Sequence, residues 1–112
     1  MRKIIIDTDP GIDDAAALAL AVFSKELDVQ LITTVAGNVG LDKTTYNALR
    51  MVSLWDARIP VAAGAARPLS GPVYDAAEAH GESGMDGFTF DAVTARTVPM
   101  HAVEAMRRVL MR

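Results

Sequence analysis

Apolar residues along this chain fall into two rhythms that alternate. Residues 3–6 hold a continuous β-branched run, the pattern of a strand buried on both faces of a parallel sheet, with Asp7 at its C-terminal end. After Pro10-Gly11, the residues Ala15, Leu18, Ala19 and Val22 recur at helical spacing and predict a helix from near Asp13 to near Lys25. Residues 29–35 read as a second strand, and Gly37-Asn38-Val39-Gly40 as a tight loop. Asp42 is placed to N-cap a second helix that carries Ala48, Leu49, Val52 and Trp55 inward. Residues 59–63 predict a third strand. A last helix starts near Met100, with Val103, Met106 and Leu110 on one face.

Strands alternating with helices predict an α/β fold, a mostly parallel sheet with flanking helices and right-handed crossovers. Ligands in such sheets bind outside the carboxyl ends of the strands. Three segments fall there: residues 7–14 after the first strand, Asn38 after the second, and residues 64–67 after the third. Between 64 and 98 both rhythms dissolve into Gly, Pro and small residues, too long for an ordinary connection, so a functional loop or lid is expected.

Composition narrows the partners. The chain has 112 residues, 51% of them apolar, which suits one domain with one core. A net charge of −3 offers no attraction to nucleic acid or to an anionic membrane, so a small molecule is the expected partner. No cysteine is present, so any metal must be held by oxygen or imidazole. The basic start is followed by only three apolar residues, far short of a signal-peptide core or a membrane span, and a cytoplasmic protein is expected. The chain stops in an amphipathic helix although the alternation calls for another strand. Residues 1–112 are therefore expected to be the N-terminal part of a single, larger domain.

The chemistry concentrates at the first turn. Asp7, Asp9, Asp13 and Asp14 place four carboxylates within eight residues, around a Pro10-Gly11 turn. Like charges this close raise one another's pKa and call for a cation or for protons. Calcium takes six to eight oxygens at irregular geometry, whereas magnesium demands stricter octahedra. The plainer alternative is that Asp13 and Asp14 cap the helix while Asp7 and Asp9 are solvated. An EF-hand loop beginning at Asp7 fails, because it needs glycine where Ile12 stands and glutamate where Leu18 stands. A phosphate-binding loop at Gly37 fails because Asp42 replaces its second glycine. Asp7-Thr8-Asp9 also resembles the start of the haloacid-dehalogenase-like phosphatases, which leaves open a magnesium-dependent phosphatase with Asp7 as nucleophile. Asn38 reads equally as a turn residue, and His80 as a solvated loop histidine. Met51, Trp55 and Met106 read as core.

Three motifs in order, Asp7-Thr8-Asp9-Pro10-Gly11-Ile12-Asp13-Asp14, Thr33-Thr34-Val35-Ala36-Gly37-Asn38-Val39 and His80-Gly81-Glu82-Ser83-Gly84-Met85-Asp86-Gly87, resemble the inosine-uridine-preferring nucleoside hydrolases. The resemblance covers essentially the whole chain. Ala36, where many members have glycine, is a small departure. The resemblance implies hydrolysis of the N-glycosidic bond of a ribonucleoside such as inosine or uridine, by a water activated by one calcium, in nucleoside metabolism and salvage. Asp9 matches a calcium ligand that is also the general base, Asp14 a bidentate calcium ligand, and Asp7 a direct or supporting partner of the metal. Asp13 and Asn38 match contacts to ribose hydroxyls, and His80 a residue near the base. Family members are about three times longer, and the residue that protonates the leaving base lies in the part not spanned here. A homo-oligomer is expected of the full-length form; the remaining alternative is a truncated chain that binds metal without turnover.

Overall fold

A computed structural model describes residues 1–37, 39–70 and 93–112. Three strands, β1 (Arg2–Thr8), β2 (Leu27–Thr34) and β3 (Val61–Ala63), form one parallel sheet in the order β1-β2-β3. Helix α1 (Ile12–Phe23) joins β1 to β2, and α2 (Leu41–Leu54) joins β2 to β3. A third helix, α3 (Ala102–Leu110), closes the described chain. The expected α/β class and the parallel sheet are both present.

The register sorts side chains to two faces, because successive strand residues point in opposite directions. Ile6 and Ile32 lie level with each other, as do Ile32 and Val61, and this face packs on Leu18 of α1 and Ala48, Met51 and Val52 of α2. The other face carries Ile5, Leu31 and Ala62 and packs on Ala102 and Ala105 of α3. The two clusters form a three-layer arrangement with the sheet in the middle. Between Ile4 and Ile5 the β1–β2 register slips by one residue, so that Gln30 has no opposite number.

Several boundaries differ from the sequence expectation for physical reasons. Strand β2 starts two residues earlier than expected because Leu27 and Asp28 pair with Arg2 and Lys3. Strand β3 starts only at Val61. Pro60, which lacks an N–H, serves through its carbonyl by accepting from Ile32 N at 3.0 Å. Gly40, not Asp42, is the N-cap of α2; Asp42 sits in the first turn, where a carboxylate meets the positive end of the helix dipole. Trp55 is the C-cap of α2, half-buried, with its ring edge-on to Phe23 at 5.7 Å. Beyond it Asp56 takes φ 50°, and Ala57 N→Val52 O and Asp56 N→Ser53 O bonds complete a Schellman ending.

Helix α3 is rotated by about one residue from the expected face. Val103 and Leu110 are 64% and 74% exposed, while Ala102 and Ala105 are buried and Met106 and Val109 pack beside them. Close approach explains the rotation: a Cβ placed on Gly64 would stand 3.1 Å from Ala102 Cβ, so only small residues fit between helix and sheet here.

Candidate active site

The carboxyl ends of β1 and β2 meet the N-terminal end of α1, and strand alternation separates the first two polar side chains of the motif. Asp7 and Thr8 leave β1 on opposite faces. Asp7 lies level with Thr33 and accepts a 2.6 Å hydrogen bond from the Thr33 hydroxyl. Thr8, buried, donates its hydroxyl to Asp14 Oδ2 at 2.7 Å. The chain then turns through Asp9, Pro10 and Gly11 into α1, whose first ladder bond runs from Ala15 N to Gly11 O.

Asp14 is half-buried in the first turn of α1. Burial pushes its pKa above the ordinary carboxylate value; the Thr8 hydrogen bond pulls it down, and the neighbouring Asp9 charge pushes it up again. A backbone hydrogen bond from Asp9 also favours the ionised form. Asp9 and Asp14 are therefore neighbours in space as well as in the motif. Asp9 is itself seated on Gly37 of the loop after β2: a Cβ added there would come within 2.7 Å of Asp9 Cγ and 2.9 Å of Asp9 Cβ. Absence of a side chain at residue 37 is what makes room for the Asp9 carboxylate.

A buried polar layer supports this corner. The Thr34 and Thr45 hydroxyls are 2.7 Å apart, Thr44 donates to Val35 O at 2.8 Å, and Asn47 Nδ2 donates to Pro10 O at 3.1 Å. Gly64 N donates to Thr34 O at 2.8 Å and Ala36 N to Ala65 O at 3.0 Å, tying the loops after β2 and β3 together. Among the described residues no buried side-chain N or O lacks a hydrogen-bond partner, as a low-dielectric interior demands. Thr8, Thr33 and Thr34 stand in the sequence motifs without an assigned role, and Thr44, Thr45 and Asn47 are singled out by none of them. A signal existed: polar residues at inward positions, Thr33-Thr34 ending an apolar strand and Asn47 beside Ala48 in an amphipathic helix.

Of the residues singled out in the sequence, Asp9 and Asp14 are brought together. Asp7 is engaged by Thr33 on the other face of the sheet, and Asp13 is exposed in the first turn of α1. Asn38 and His80 lie outside the described residues, as does most of the expected loop or lid. Among the described residues no three His, Cys, Asp or Glu side chains gather tightly enough to hold a metal ion by themselves. The donors that do meet, two carboxylates opposed to one another, are hard oxygen ligands whose repulsion a divalent cation relieves. They fit a hard divalent cation as part of its coordination shell, since such an ion takes six or more oxygens. No helix among the described residues is long and apolar enough to cross a membrane.

Comparison with known proteins gives one consistent result. The family model described as inosine-uridine preferring nucleoside hydrolase matches residues 4–112. The non-specific ribonucleoside hydrolase RihC of Salmonella agona is 58% identical over 108 residues, which are 96% of this chain and 35% of that protein. Its counterpart from Klebsiella pneumoniae is 55% identical, over 96% of this chain and 36% of the relative. Among solved structures, a plant nucleoside hydrolase superposes with a TM-score of 0.85 at 35% identity, over 98% of this chain and 36% of that one. A purine-preferring ribonucleoside hydrolase from Gardnerella vaginalis, with TM-score 0.90 over 99% of this chain and 37% of that one, shares the fold at 24% identity. The chain spans about a third of the length of the curated relatives it matches, 35% in the first of them.

Proposed function

Because the chain belongs to the inosine-uridine preferring nucleoside hydrolase family, we propose that the protein of which it forms the N-terminal part hydrolyses the N-glycosidic bond of ribonucleosides to free base and ribose. The magnesium-dependent phosphatase reading falls with that membership. One observation carries the proposal: the paired Asp9 and Asp14 carboxylates at the carboxyl end of β1, raised in pKa at Asp14 by burial and by Asp9.

Asp9 and Asp14 are the residues that would hold calcium, with Asp7 steadying the strand end from the sheet through Thr33. When bound, calcium acidifies and orients a water at the site. Asp9 accepts the proton of the attacking water as its oxygen bonds to the anomeric carbon. The bond to the base nitrogen breaks with its electron pair leaving on the base, and the sugar passes through an oxocarbenium-like transition state. No covalent enzyme intermediate forms. Asp13, which is exposed, and Asn38 are assigned to the ribose hydroxyls, and His80 to contact with the base. Inosine and uridine are the substrates to be tried first, the location is the cytoplasm, and the full-length protein is a homo-oligomer.

The test is a chimera in which this chain replaces the matching third of the Salmonella agona hydrolase. Ribose release from inosine or uridine that needs calcium and stops with EDTA is the expected result. A folded chimera that releases no ribose in calcium, or releases it equally in EDTA, would overturn the proposal.

A further inference from the structure

Asn47 has no part in the proposed chemistry, yet it is 1% exposed and joins two elements far apart in sequence. From α2 its Nδ2 donates 3.1 Å to the carbonyl of Pro10, while Arg50 approaches its Oδ1 at 3.5 Å. Arg50 in turn lies over the Tyr46 ring, 4.6 Å from its centroid. The bond to Pro10 has an unusual mechanical effect. The pyrrolidine ring already fixes the φ of residue 10, and a pinned carbonyl fixes the peptide plane that follows. Proline also restricts the residue before it, which is Asp9. One amide bond therefore fixes the peptide that follows Pro10 and narrows the freedom of the turn that presents Asp9 to Asp14.

From this geometry we propose that Asn47 is a positioning residue: by anchoring the Pro10 carbonyl it holds Asp9 against Asp14 in the orientation that hydrolysis uses. The catalytic half of this statement rests on the hydrolase reading; the anchoring half does not. A merely structural role, gluing α2 to its neighbours, is matched by Thr45, which sits on the same helix and pairs with Thr34 in the same buried layer at 2.7 Å. Thr45→Val is thus the comparison that separates positioning from general stability.

Two readouts decide. The first is hydrogen exchange of the Asp9 amide in the chimera, because that N–H bonds Asp14 and reports whether the two stay together. The second is kcat against KM in the chimera. Asn47→Leu, and Asn47→Ser as a milder variant should the first not fold, are expected to speed Asp9 exchange at least tenfold. They should also lower kcat at least tenfold with KM within threefold, whereas Thr45→Val leaves both within twofold. Unchanged Asp9 exchange, or a kcat no lower than in Thr45→Val, would overturn the proposal. Faster Asp9 exchange in a chimera whose wild-type form releases no ribose would sink the hydrolase reading while the anchor stands.

Discussion

Gly37→Ala isolates the geometry of Asp9 from its chemistry. The new methyl carbon would lie 2.7 Å from Asp9 Cγ and 2.9 Å from Asp9 Cβ. Carbon atoms in contact sit at about 3.5–4.0 Å, so the carboxylate must retreat by about 1 Å. A displacement of that size at a reacting group costs about 10²-fold in rate. The fold should register it weakly. Residue 37 is outside the left-handed region, so alanine is compatible with its backbone. An off-rotamer Asp9 costs about 0.5–1.5 kcal/mol, and loss of glycine's freedom in the unfolded chain offsets about 0.4–1 kcal/mol of it. The expected outcome in the chimera is a kcat/KM reduced about a hundredfold with a melting temperature within a few degrees of wild type. In the double variant with Asp9→Asn, alanine at 37 should add less than a twofold further loss, because both changes act on one group. Full activity in Gly37→Ala, or multiplicative losses in the double variant, would refute the idea that residue 37 acts by seating Asp9.

Three further outcomes can be checked on the 112-residue chain. Asp14 has a folded pKa raised above its ordinary value of 3.8, so its favourable contribution is fully present below that pH and is lost as pH rises through the folded value; in EDTA, Asp14→Asn should melt higher than wild type at pH 7 and no higher below pH 3.8, and equal melting at both would contradict the burial argument. Leu18→Ala, at a site 1% exposed in the main core cluster, should cost about 2–5 kcal/mol in a urea titration. Asp56→Gly should add about 0.5–1 kcal/mol in the same assay, since φ 50° strains an aspartate and not a glycine.

How much of this was legible in the sequence depended on whether local pattern or three-dimensional contact set the answer. The β1-turn-α1 corner was legible because its strand is short and apolar, its helix is periodic and its turn carries proline and glycine. The pairing of Asp9 with Asp14 follows from that corner. The parting of Asp7 from them is a consequence of strand parity, which becomes usable only once the last residue of β1 is known. Gly37 looked like a turn residue, and nothing local reveals that a carboxylate from another loop rests on it. In helix α3 the alanines and not the larger apolar residues set the buried face: Val103 and Leu110 face solvent while Ala102 and Ala105 meet the sheet, since Gly64 brings it too close for larger side chains. The inward position of Asn47 in α2 is legible, but its partner is not, being a backbone carbonyl 37 residues away.

The claim that matters most is that Asp9 performs the chemistry of a ribonucleoside hydrolase. It is tested most directly by the initial rate of ribose release from inosine by the chimera in calcium, wild type against Asp9→Asn. Steady release by the wild type and a loss of at least a hundredfold in the variant, with the fold intact by circular dichroism, is the expected result. A variant within tenfold of the wild type would contradict it.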